Sequence, residues 1–461
     1  MSPAITQQSG ADSLAVIASE LASLINIKSV PRSPQIHLVP TAHNTQLFVV
    51  NGSRLHNISS TVEARIEQLL QQRDEAGIAN ELIALGLDMP VLINDEPLQS
   101  PKIYALSLAI AQKCNMGCTY CYADQGDFGG PMKNMTTDTA RQSINLLLKD
   151  CEPGSKVQVT FLGGEPLINR KALRDTTVYA FEEGRRKNVQ VNFSLTSNGT
   201  LLKEDDAAFF EEYGFAVTIS LDGIGEQHDQ LRPMKNGAGT YQQIIEKIRP
   251  LLATQRRMQV SARVTVTPAN MDLTKTLQEF VDMGFHSVGF SPLLRSSSGK
   301  GEMSKEDLDQ MLQGMIACGL LFEQHVIMGK RFPFLNMVNA LKEIAKGTHR
   351  PYPCGAGAGY MGVSADGELA ACHRFVNEPA GHMGDLINGI NPTLQNDWLA
   401  SRHVHHQEPC HQCWARYLCG GGCHHEVLER GRTACDYIRG WLHYTMQAHE
   451  RLARLAPHWY K

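Results

Sequence analysis

The sequence predicts an α/β protein built on an open parallel barrel or sheet of six strand–helix units. Between residues 103 and 291, helical stretches alternate with six strand-like segments: YALSLAI, VQVTF, VQVNFSLT, AVTISL, VSARVTV and SVGF. We interpret each segment as β-branched or apolar throughout, which is typical of parallel strands covered on both faces. Strands that alternate with helices form parallel sheets because each helix carries the chain back across the sheet.

Length and charge limit the classes of partner. At 461 residues the chain exceeds one ordinary domain, so we expect two or three compact units. Lys plus Arg total 43 and Asp plus Glu total 47, without a like-charge block, so neither nucleic acid nor a charged membrane surface is indicated. An apolar-periodic stretch runs from residue 14 to 24, but no basic leader precedes it and Glu20 interrupts it. We therefore expect no secretory signal, no membrane span and a cytoplasmic protein.

Four regions follow one another along the chain. We place an N-terminal module at 1–100, the strand–helix core at 101–300, a helical connector at 301–350 and a cysteine-rich domain at 351–461. In the first region, residues 36–58 predict short strands and a small hairpin at the Asn51-Gly52 turn. Ser59, Ser60 and Thr61 then offer N-caps to helical stretches that end near Gly86.

Cysteine spacing indicates metal binding rather than disulfides. Ten of the twelve cysteines fall into tight clusters, and we find no export signal that would supply an oxidising compartment. Cys151 and Cys318 stand apart, and we interpret each as a buried, inert thiol.

The polar motifs of the core follow successive predicted strands. Cys114 to Cys121 follow the first strand, residues 163–166 (GGEP) the second, residues 196–199 (TSNG) the third, and Asp222-Gly223 the fourth. Ligands of such folds bind beyond the carboxyl ends of the strands, so these motifs predict one site.

The first cysteine cluster carries the most specific chemistry. Cys114, Cys118 and Cys121 provide three thiolates within eight residues, enough for three irons of a cube. The fourth iron would stay open and chelate the amino and carboxylate groups of a small molecule. A structural zinc or a saturated ferredoxin cluster is the alternative, but the next cysteine, Cys151, lies thirty residues further on.

The segment CNMGCTYCY resembles the C-x3-C-x2-C signature of the radical S-adenosylmethionine (SAM) enzymes, with Tyr120 before the last ligand. The resemblance implies a partial (β/α)6 barrel, a 4Fe-4S cluster on the three cysteines, and SAM as cofactor. GGEP resembles the turn of these enzymes that binds the methionine amino group. The residues that the resemblance assigns to SAM are Tyr120, Gly163, Gly164, Glu165, Ser197, Asn198, Ser220, Asp222 and Arg232.

The last region resembles the SPASM domain, a twin-cluster extension of peptide-modifying radical enzymes. The spacing is Cys354-x12-Gly367-x4-Cys372, then Cys410-x2-Cys413-x5-Cys419-x3-Cys423, then Cys435. The resemblance assigns Cys354, Cys372 and Cys423 to an inner auxiliary Fe-S cluster, and Cys410, Cys413, Cys419 and Cys435 to an outer one. A pair of zinc knuckles is the alternative, with His405, His406, His424 and His425 as further ligands.

Two positions depart from that family's pattern. Tyr360 stands where some members have another cysteine, which would leave the inner cluster an open iron for a substrate thiol. His373 stands where the sulfatase-maturing branch has an aspartate that resembles a general base. Histidine can accept a proton near neutral pH, and packing against the cluster is the alternative role.

Residues 36–455 are most similar to the maturases of quinohemoprotein amine dehydrogenase, through segments such as QRRMQVSARVTVTP and MGFHSVGFSP. The resemblance implies thioether cross-links in a cysteine-bearing peptide or small subunit, and an electron donor such as flavodoxin or ferredoxin. It also implies a winged-helix-like N-terminal module that recognises the precursor by strand addition, with a plain capping domain as the alternative. Two competing functions are carbon–carbon cross-linking or side-chain oxidation, and an iron-sulfur electron carrier, which needs neither GGEP nor Arg232.

Overall fold

The computed structural model of this protein describes residues 32–460. The apolar-periodic stretch from 14 to 24, on which the expectation about a secretory signal partly rests, lies outside the described residues. Among the helices that the structure does describe, none has the length and apolar character needed to cross a membrane.

The N-terminal module is a three-stranded antiparallel sheet followed by two helices. Its strands are β1 (Ile36–Pro40), β2 (Thr45–Val49) and β3 (Arg54–Asn57), and its helices are α1 (Ser60–Gln72) and α2 (Glu75–Ala84). The Ser59 side chain caps α1 by accepting a hydrogen bond from the Val62 N–H at 3.3 Å. The predicted hairpin is therefore part of a larger sheet, because the Asn51-Gly52 turn joins β2 to the additional strand β3.

The core contains the six predicted strand–helix units. Strands β4, β6, β7, β8, β9 and β10 are all parallel and neighbour one another in that order. The elements of the core are β4 (Ala105–Gln112), β5 (Lys133–Asn134), α3 (Thr137–Leu148), β6 (Lys156–Gly163), α4 (Arg170–Lys187), β7 (Gln190–Ser197), α5 (Glu204–Tyr213), β8 (Ala216–Ser220), α6 (Glu226–Leu231), α7 (Tyr241–Thr254), β9 (Gln259–Val266), α8 (Leu273–Asp282) and β10 (Ser287–Pro292).

Only one of these strands is buried along its whole length, so the expectation of strands covered on both faces is wrong for the others. Strand β4 is buried throughout, whereas β6, β7 and β9 alternate between buried and partly exposed residues. The exposed face carries polar side chains such as Gln158, Thr160, Ser194 and Ser261. This face surrounds the interior of the partial barrel, which is a polar lumen and not a packed core.

The remaining elements follow the barrel and extend its sheet. Strand β11 pairs in parallel with β4, and β12, β13 and β14 continue the sheet in antiparallel fashion. The elements are α9 (Lys305–Ile327), α10 (Leu335–Lys346), β11 (Tyr360–Val363), β12 (Glu368–Ala370), β13 (His382–Asp385), β14 (Gly389–Ile390), α11 (Pro392–Arg402), α12 (Arg416–Cys419), α13 (His424–Arg430) and α14 (Cys435–Leu455).

The isolated cysteines differ in environment. Cys318 on α9 is fully buried, as predicted. Cys151 is only partly buried, and its thiol donates to the Leu147 carbonyl at 3.2 Å, so the prediction of a buried thiol is wrong there. The C-terminal turn of α3 ends close to the surface, which explains the difference.

Candidate active site

The loop that follows β4 holds the first three cysteines against the segment that follows α6. The Gly117 N–H donates to the Pro233 carbonyl at 2.9 Å, and the Thr119 N–H donates to the Leu231 carbonyl at 3.1 Å. Burial raises the pKa of the Cys118 thiol to about 11, although nearby Arg232 opposes this shift. A thiol in this position becomes a thiolate ligand only when a cation compensates its charge.

The glycine pair of the GGEP turn lies against this loop. A Cβ atom on Gly163 would lie 2.3 Å from the Ala111 carbonyl oxygen, and one on Gly164 would lie 2.3 Å from the Lys113 carbonyl oxygen. Gly163 also has a φ of +142°. The glycines are therefore required by the close approach of two protein backbones, a reason that the sequence interpretation did not include.

The Glu165 carboxylate is directed into the protein. It is fully buried and accepts hydrogen bonds from the Leu167 N–H, the Ser197 hydroxyl and the Asn198 N–H at 3.0, 2.9 and 2.7 Å. Burial raises its pKa, and these hydrogen bonds oppose the shift. Glu165 does not line the cavity described below, so the carboxylate itself does not face an ammonium group there. It instead joins the GGEP turn to the Ser197-Asn198 loop.

Asn198 joins that loop to the cysteines. Its amide donates to the Asn115 side-chain oxygen at 3.0 Å and approaches the Cys114 sulfur at 3.8 Å. Asn115 in turn donates to the Thr200 hydroxyl at 2.8 Å. Asn115 and Thr200 were missed from the sequence, because only the fold brings these two loops together.

Arg232 is held by two predicted residues. Its Nη1 donates to the Tyr120 hydroxyl at 2.7 Å and lies 3.3 Å from the Asp222 carboxylate, which also accepts from the Tyr120 hydroxyl. Burial alone would lower the pKa of Arg232, but the neighbouring Cys118 and Asp222 raise it. Asp222 is fully buried, so it positions Arg232 and does not face the cavity itself.

His228 supports the same turn. Its Nδ1 accepts from the Asp222 N–H at 3.1 Å, and its Nε2 lies 3.1 Å from the Thr240 hydroxyl. Burial, assisted by Arg232, lowers the pKa of His228 to about 3, so it stays neutral. A histidine within a short helix gave no signal in the sequence that could have identified this role.

One cavity of about 500 Å³ brings most of these groups together at the carboxyl ends of the strands. The predicted residues that line it are Cys114, Cys118, Tyr120, Cys121, Gly163, Gly164, Ser197, Asn198, Ser220, Arg232 and His373. Among the described residues, the buried Nε of Arg232 has no hydrogen-bond partner. A buried donor without a partner is costly, and a ligand carboxylate would satisfy it. The site therefore fits both a three-thiolate cluster and a molecule with a carboxylate.

The same cavity extends to the C-terminal region through His373 and Arg374. The Tyr360 hydroxyl lies 2.7 Å from His373 Nδ1. Burial, and then the charge of Arg374, lowers the pKa of His373 to about 3. His373 is thus a neutral imidazole in the cavity wall, next to Cys372.

The cysteines assigned to the inner group lie near one another. Burial raises the pKa of Cys372 to about 12, and Cys423 and Cys354 contribute to the shift. Arg374 lies beside them and donates to Glu426 at 2.9 Å.

The four cysteines assigned to the outer group share a smaller cavity of about 60 Å³. Cys423 also lines this cavity, so it stands between the two groups. Three guanidinium groups surround the cavity, those of Arg416, Arg432 and Arg439. Arg439 Nη1 approaches the Cys413 sulfur at 4.0 Å.

The cysteine groups differ in geometry from a ligand set that holds a single metal ion. Across residues 32–459, no three His, Cys, Asp or Glu side chains are arranged to hold one metal ion. The ligands of an iron-sulfur cube surround a volume instead, since each thiolate binds a different iron.

Tyr122, Arg263 and Arg374 are among the residues lining the main cavity that the sequence interpretation missed. The alternation of buried and exposed residues in VSARVTV could have identified Arg263, because Ser261, Arg263 and Thr265 share the inward face of β9. Nothing in the sequence indicated that Arg374 reaches the barrel.

Comparison with known families decides the class of the core. Residues 108–280 match the model of the radical SAM superfamily, and this range contains the cysteine loop, the GGEP turn and Arg232. The match assigns the core of this chain to the radical SAM superfamily. Its cofactors are accordingly a 4Fe-4S cluster and SAM, for which the cavity supplies three thiols and a free guanidinium donor.

Relatives of this chain extend the similarity beyond residues 108–280. The serine-type anaerobic sulfatase-maturating enzyme of Klebsiella aerogenes is 24% identical over 363 residues, covering 75% of this chain and 85% of the relative. The cysteine-type anaerobic sulfatase-maturating enzyme of Clostridium novyi is 24% identical over 334 residues, covering 68% and 85%.

Solved structures share the fold. Native anSMEcpe with bound AdoMet matches with a TM-score of 0.64 and 18% identity, covering 77% of this chain and 99% of that chain. Streptococcus suis SuiB bound to precursor peptide SuiA matches with a TM-score of 0.51 and 14% identity, covering 87% and 97%.

Proposed function

We propose that this enzyme cleaves SAM reductively and uses the 5'-deoxyadenosyl radical to modify a ribosomally made peptide or protein subunit. Cys114, Cys118 and Cys121 would hold a 4Fe-4S cluster, and this cluster would supply the electron that splits SAM. The observation that best supports this proposal is that one cavity is lined by the three thiols, the Arg232 guanidinium and the C-terminal residues His373 and Arg374. Similarity to sulfatase-maturating enzymes, and a fold shared with a structure that holds a precursor peptide, support a peptide substrate.

The residues around the cavity have separate tasks. Arg232, held by Tyr120 and Asp222, binds the methionine carboxylate of SAM through its free Nε. Backbone groups of Gly163 and Gly164 bind the amino group, and the hydroxyl of Ser220 binds the ribose.

The most specific form of the proposal is thioether formation in the small subunit of a quinohemoprotein amine dehydrogenase. We propose an inner auxiliary cluster on Cys354, Cys372 and Cys423, and an outer one on Cys410, Cys413, Cys419 and Cys435. A substrate thiol held beside Cys372 lies next to the main cavity, because His373 and Arg374 form part of its wall. Each cross-link removes one hydrogen atom from carbon and one proton and one electron from the thiol, and the electron leaves toward a flavodoxin or ferredoxin.

Two smaller assignments belong to this proposal. His373 is the candidate group that accepts the thiol proton, since its ring lines the cavity and its Nδ1 lies beside the Tyr360 hydroxyl. Burial and Arg374 oppose this step, because they lower the pKa of His373 to about 3. The N-terminal module binds the precursor by addition of a strand to β3. Strand β3 is the outer strand of its sheet, whereas β1 lies toward α14, where the Gln447 amide donates to the Pro40 carbonyl at 2.8 Å.

A second candidate is side-chain oxidation of the kind that matures sulfatases. The observation that favours it is the similarity to serine-type and cysteine-type anaerobic sulfatase-maturating enzymes over about three quarters and two thirds of the chain. The presence of His373 at the position of the expected aspartate favours the thioether reaction instead.

The test is anaerobic reconstitution with a short cysteine-bearing precursor polypeptide, followed by mass spectrometry with and without thiol alkylation. We expect the loss of two hydrogens per cross-link and an equal number of cysteines that no longer alkylate. Loss of two hydrogens with every cysteine still alkylated would indicate carbon–carbon bonding or side-chain oxidation. The Cys118→Ala variant is the control and should leave the substrate unchanged.

A further inference from the structure

A second large cavity lies at the amino ends of the barrel strands, which we call the lower end of the barrel. The proposed reaction does not use this cavity. Its volume is about 700 Å³, and Gln259 and Ser287, at the amino ends of β9 and β10, form one wall. Residues 329–333, the beginning of α10 and the segment at His458 and Trp459 form the others. We call this cavity the lower groove.

The lower groove adjoins the main cavity, in which we propose that SAM binds. Ser261 and Leu335 line both of them. The Ser261 hydroxyl hydrogen-bonds that of Ser287 at 2.8 Å, so the wall between the two spaces is polar. Residues 259, 261, 263 and 265 share the inward face of β9, which therefore runs from the groove to the radical site.

The rim of the groove is cationic. Lys330, Arg331 and Lys342 line it with exposed side chains, and none of the described residues that line it is Asp or Glu. Arg331 donates to the backbone carbonyl of His286, which leaves its charge unneutralised. Further up the lumen, Arg263 donates to the Ser291 hydroxyl, so the positive charge continues toward the radical site.

The floor of the groove is apolar. Phe322, Val326, Phe332 and Val338 line it. A concave site with an apolar floor and a cationic rim suits a polypeptide segment that carries both acidic and apolar side chains. An electron donor would be poorly placed here, because the strand rise of about 3.3 Å per residue puts the two ends of β9 about 23 Å apart.

We propose that the lower groove binds an acidic, partly apolar segment of the substrate polypeptide, several residues along the substrate from the residue that enters the radical cavity. The assignment rests on the proposed function in that it takes the substrate to be a polypeptide. It adds a specificity site that is separate from the N-terminal module and from the cysteine clusters.

The test is a binding measurement on the full reconstituted enzyme. The probe is a short rhodamine-labelled peptide of alternating glutamate and leucine, compared with glutamine–leucine and lysine–leucine peptides of equal length. We expect saturable binding of the glutamate peptide in fluorescence anisotropy, weaker at high salt. The triple variant Lys330→Gln, Arg331→Gln, Lys342→Gln should bind it at least about tenfold more weakly.

A matched variant separates local from overall charge. Lys149→Gln, Arg185→Gln, Lys203→Gln removes three exposed positive charges elsewhere on the core and should keep the affinity within about twofold. Equal binding of the glutamine peptide, an unchanged affinity in the groove variant, or tighter binding of a short single-stranded DNA would overturn the proposal.

The same samples are assayed for deoxyadenosine formation from SAM without peptide. We expect the groove variant to retain the wild-type rate. Wild type that cleaves SAM but does not bind the glutamate peptide contradicts only the groove, whereas wild type that leaves SAM intact contradicts the proposed function.

Discussion

The two cysteine-bearing regions are built in different ways. Cys114, Cys118 and Cys121 lie in one loop at the ends of parallel strands, and this loop donates hydrogen bonds to the carbonyl groups of Leu231 and Pro233. Between residues 403 and 434, by contrast, the regular elements are two three-residue 3-10 helices and two short α-helices of four and seven residues. A framework of strands holds the first site in place, whereas the second region depends on what its cysteines bind.

The charges around the two regions also differ. At the barrel, Arg232 is neutralised by Asp222 at 3.3 Å. Around the outer group, Arg416, Arg432 and Arg439 share one cavity with the thiols. We infer that the barrel site is built to bind and split SAM, and that the outer group is built to accept an electron.

The largest effect should come from removing a barrel thiol. Cys118→Ala leaves a cluster without one of its three protein ligands, so we expect SAM cleavage to fall by at least about a thousandfold. Deoxyadenosine is quantified by chromatography under anaerobic conditions. Cys151→Ala is the matched control and should cleave SAM at the wild-type rate.

Asp222→Asn should weaken SAM binding by about 10- to 100-fold, because the buried guanidinium of Arg232 loses the charge that holds it. Isothermal titration of SAM into the reconstituted enzyme measures the change. Asp282→Asn makes the same chemical change at an exposed helix end and should leave the affinity unaltered. An unchanged affinity in Asp222→Asn would show that Arg232 needs no anchor.

Changing the outer group should affect the stability of the C-terminal region more than it affects SAM cleavage. Cys419→Ala should keep SAM cleavage within about tenfold of wild type, because the strand framework of the barrel is intact. It should lower the unfolding temperature by about 5 °C and expose residues 404–435 to proteolysis. Calorimetry and limited digestion followed by mass spectrometry test this, and a variant as stable as wild type would show that the region folds without its ligand.

The smallest effect on SAM cleavage should come from Arg439→Gln, within about twofold of wild type. The reduction potential of the outer cluster should nevertheless become more negative, since a cation 4.0 Å from the Cys413 sulfur favours the reduced form. A potentiometric titration followed by electron paramagnetic resonance measures the shift. Arg454→Gln, further along α14, should leave the potential unchanged.

The sequence predicts the six barrel strands and the one site at their carboxyl ends, because the strand pattern and the order of the motifs can both be read from the linear sequence. It does not predict which carboxylates face the cavity. Glu165 and Asp222 have partners from distant parts of the chain, Asn198 and Thr265 among them, and such pairings exist only in the folded chain. The sequence also does not show why a glycine is required at position 163, because the requirement comes from the backbone of β4, which lies close to it only in the fold.

The interior of the barrel shows the same limit. A segment such as VSARVTV is typical of a strand, but whether its polar face meets a helix or a lumen depends on the closure of the sheet. Arg263 and the lower groove follow from that closure, and so does the contact of Arg374 with the SAM cavity.

The most direct test is electron paramagnetic resonance of the anaerobically reduced enzyme before and after SAM is added. If three thiolates hold a cluster with one iron open to SAM, we expect a 4Fe-4S signal that changes shape on addition of SAM and that is lost in Cys118→Ala. A spectrum that SAM leaves unaltered, or protein that holds zinc at these cysteines in place of iron, would contradict the assignment of this site.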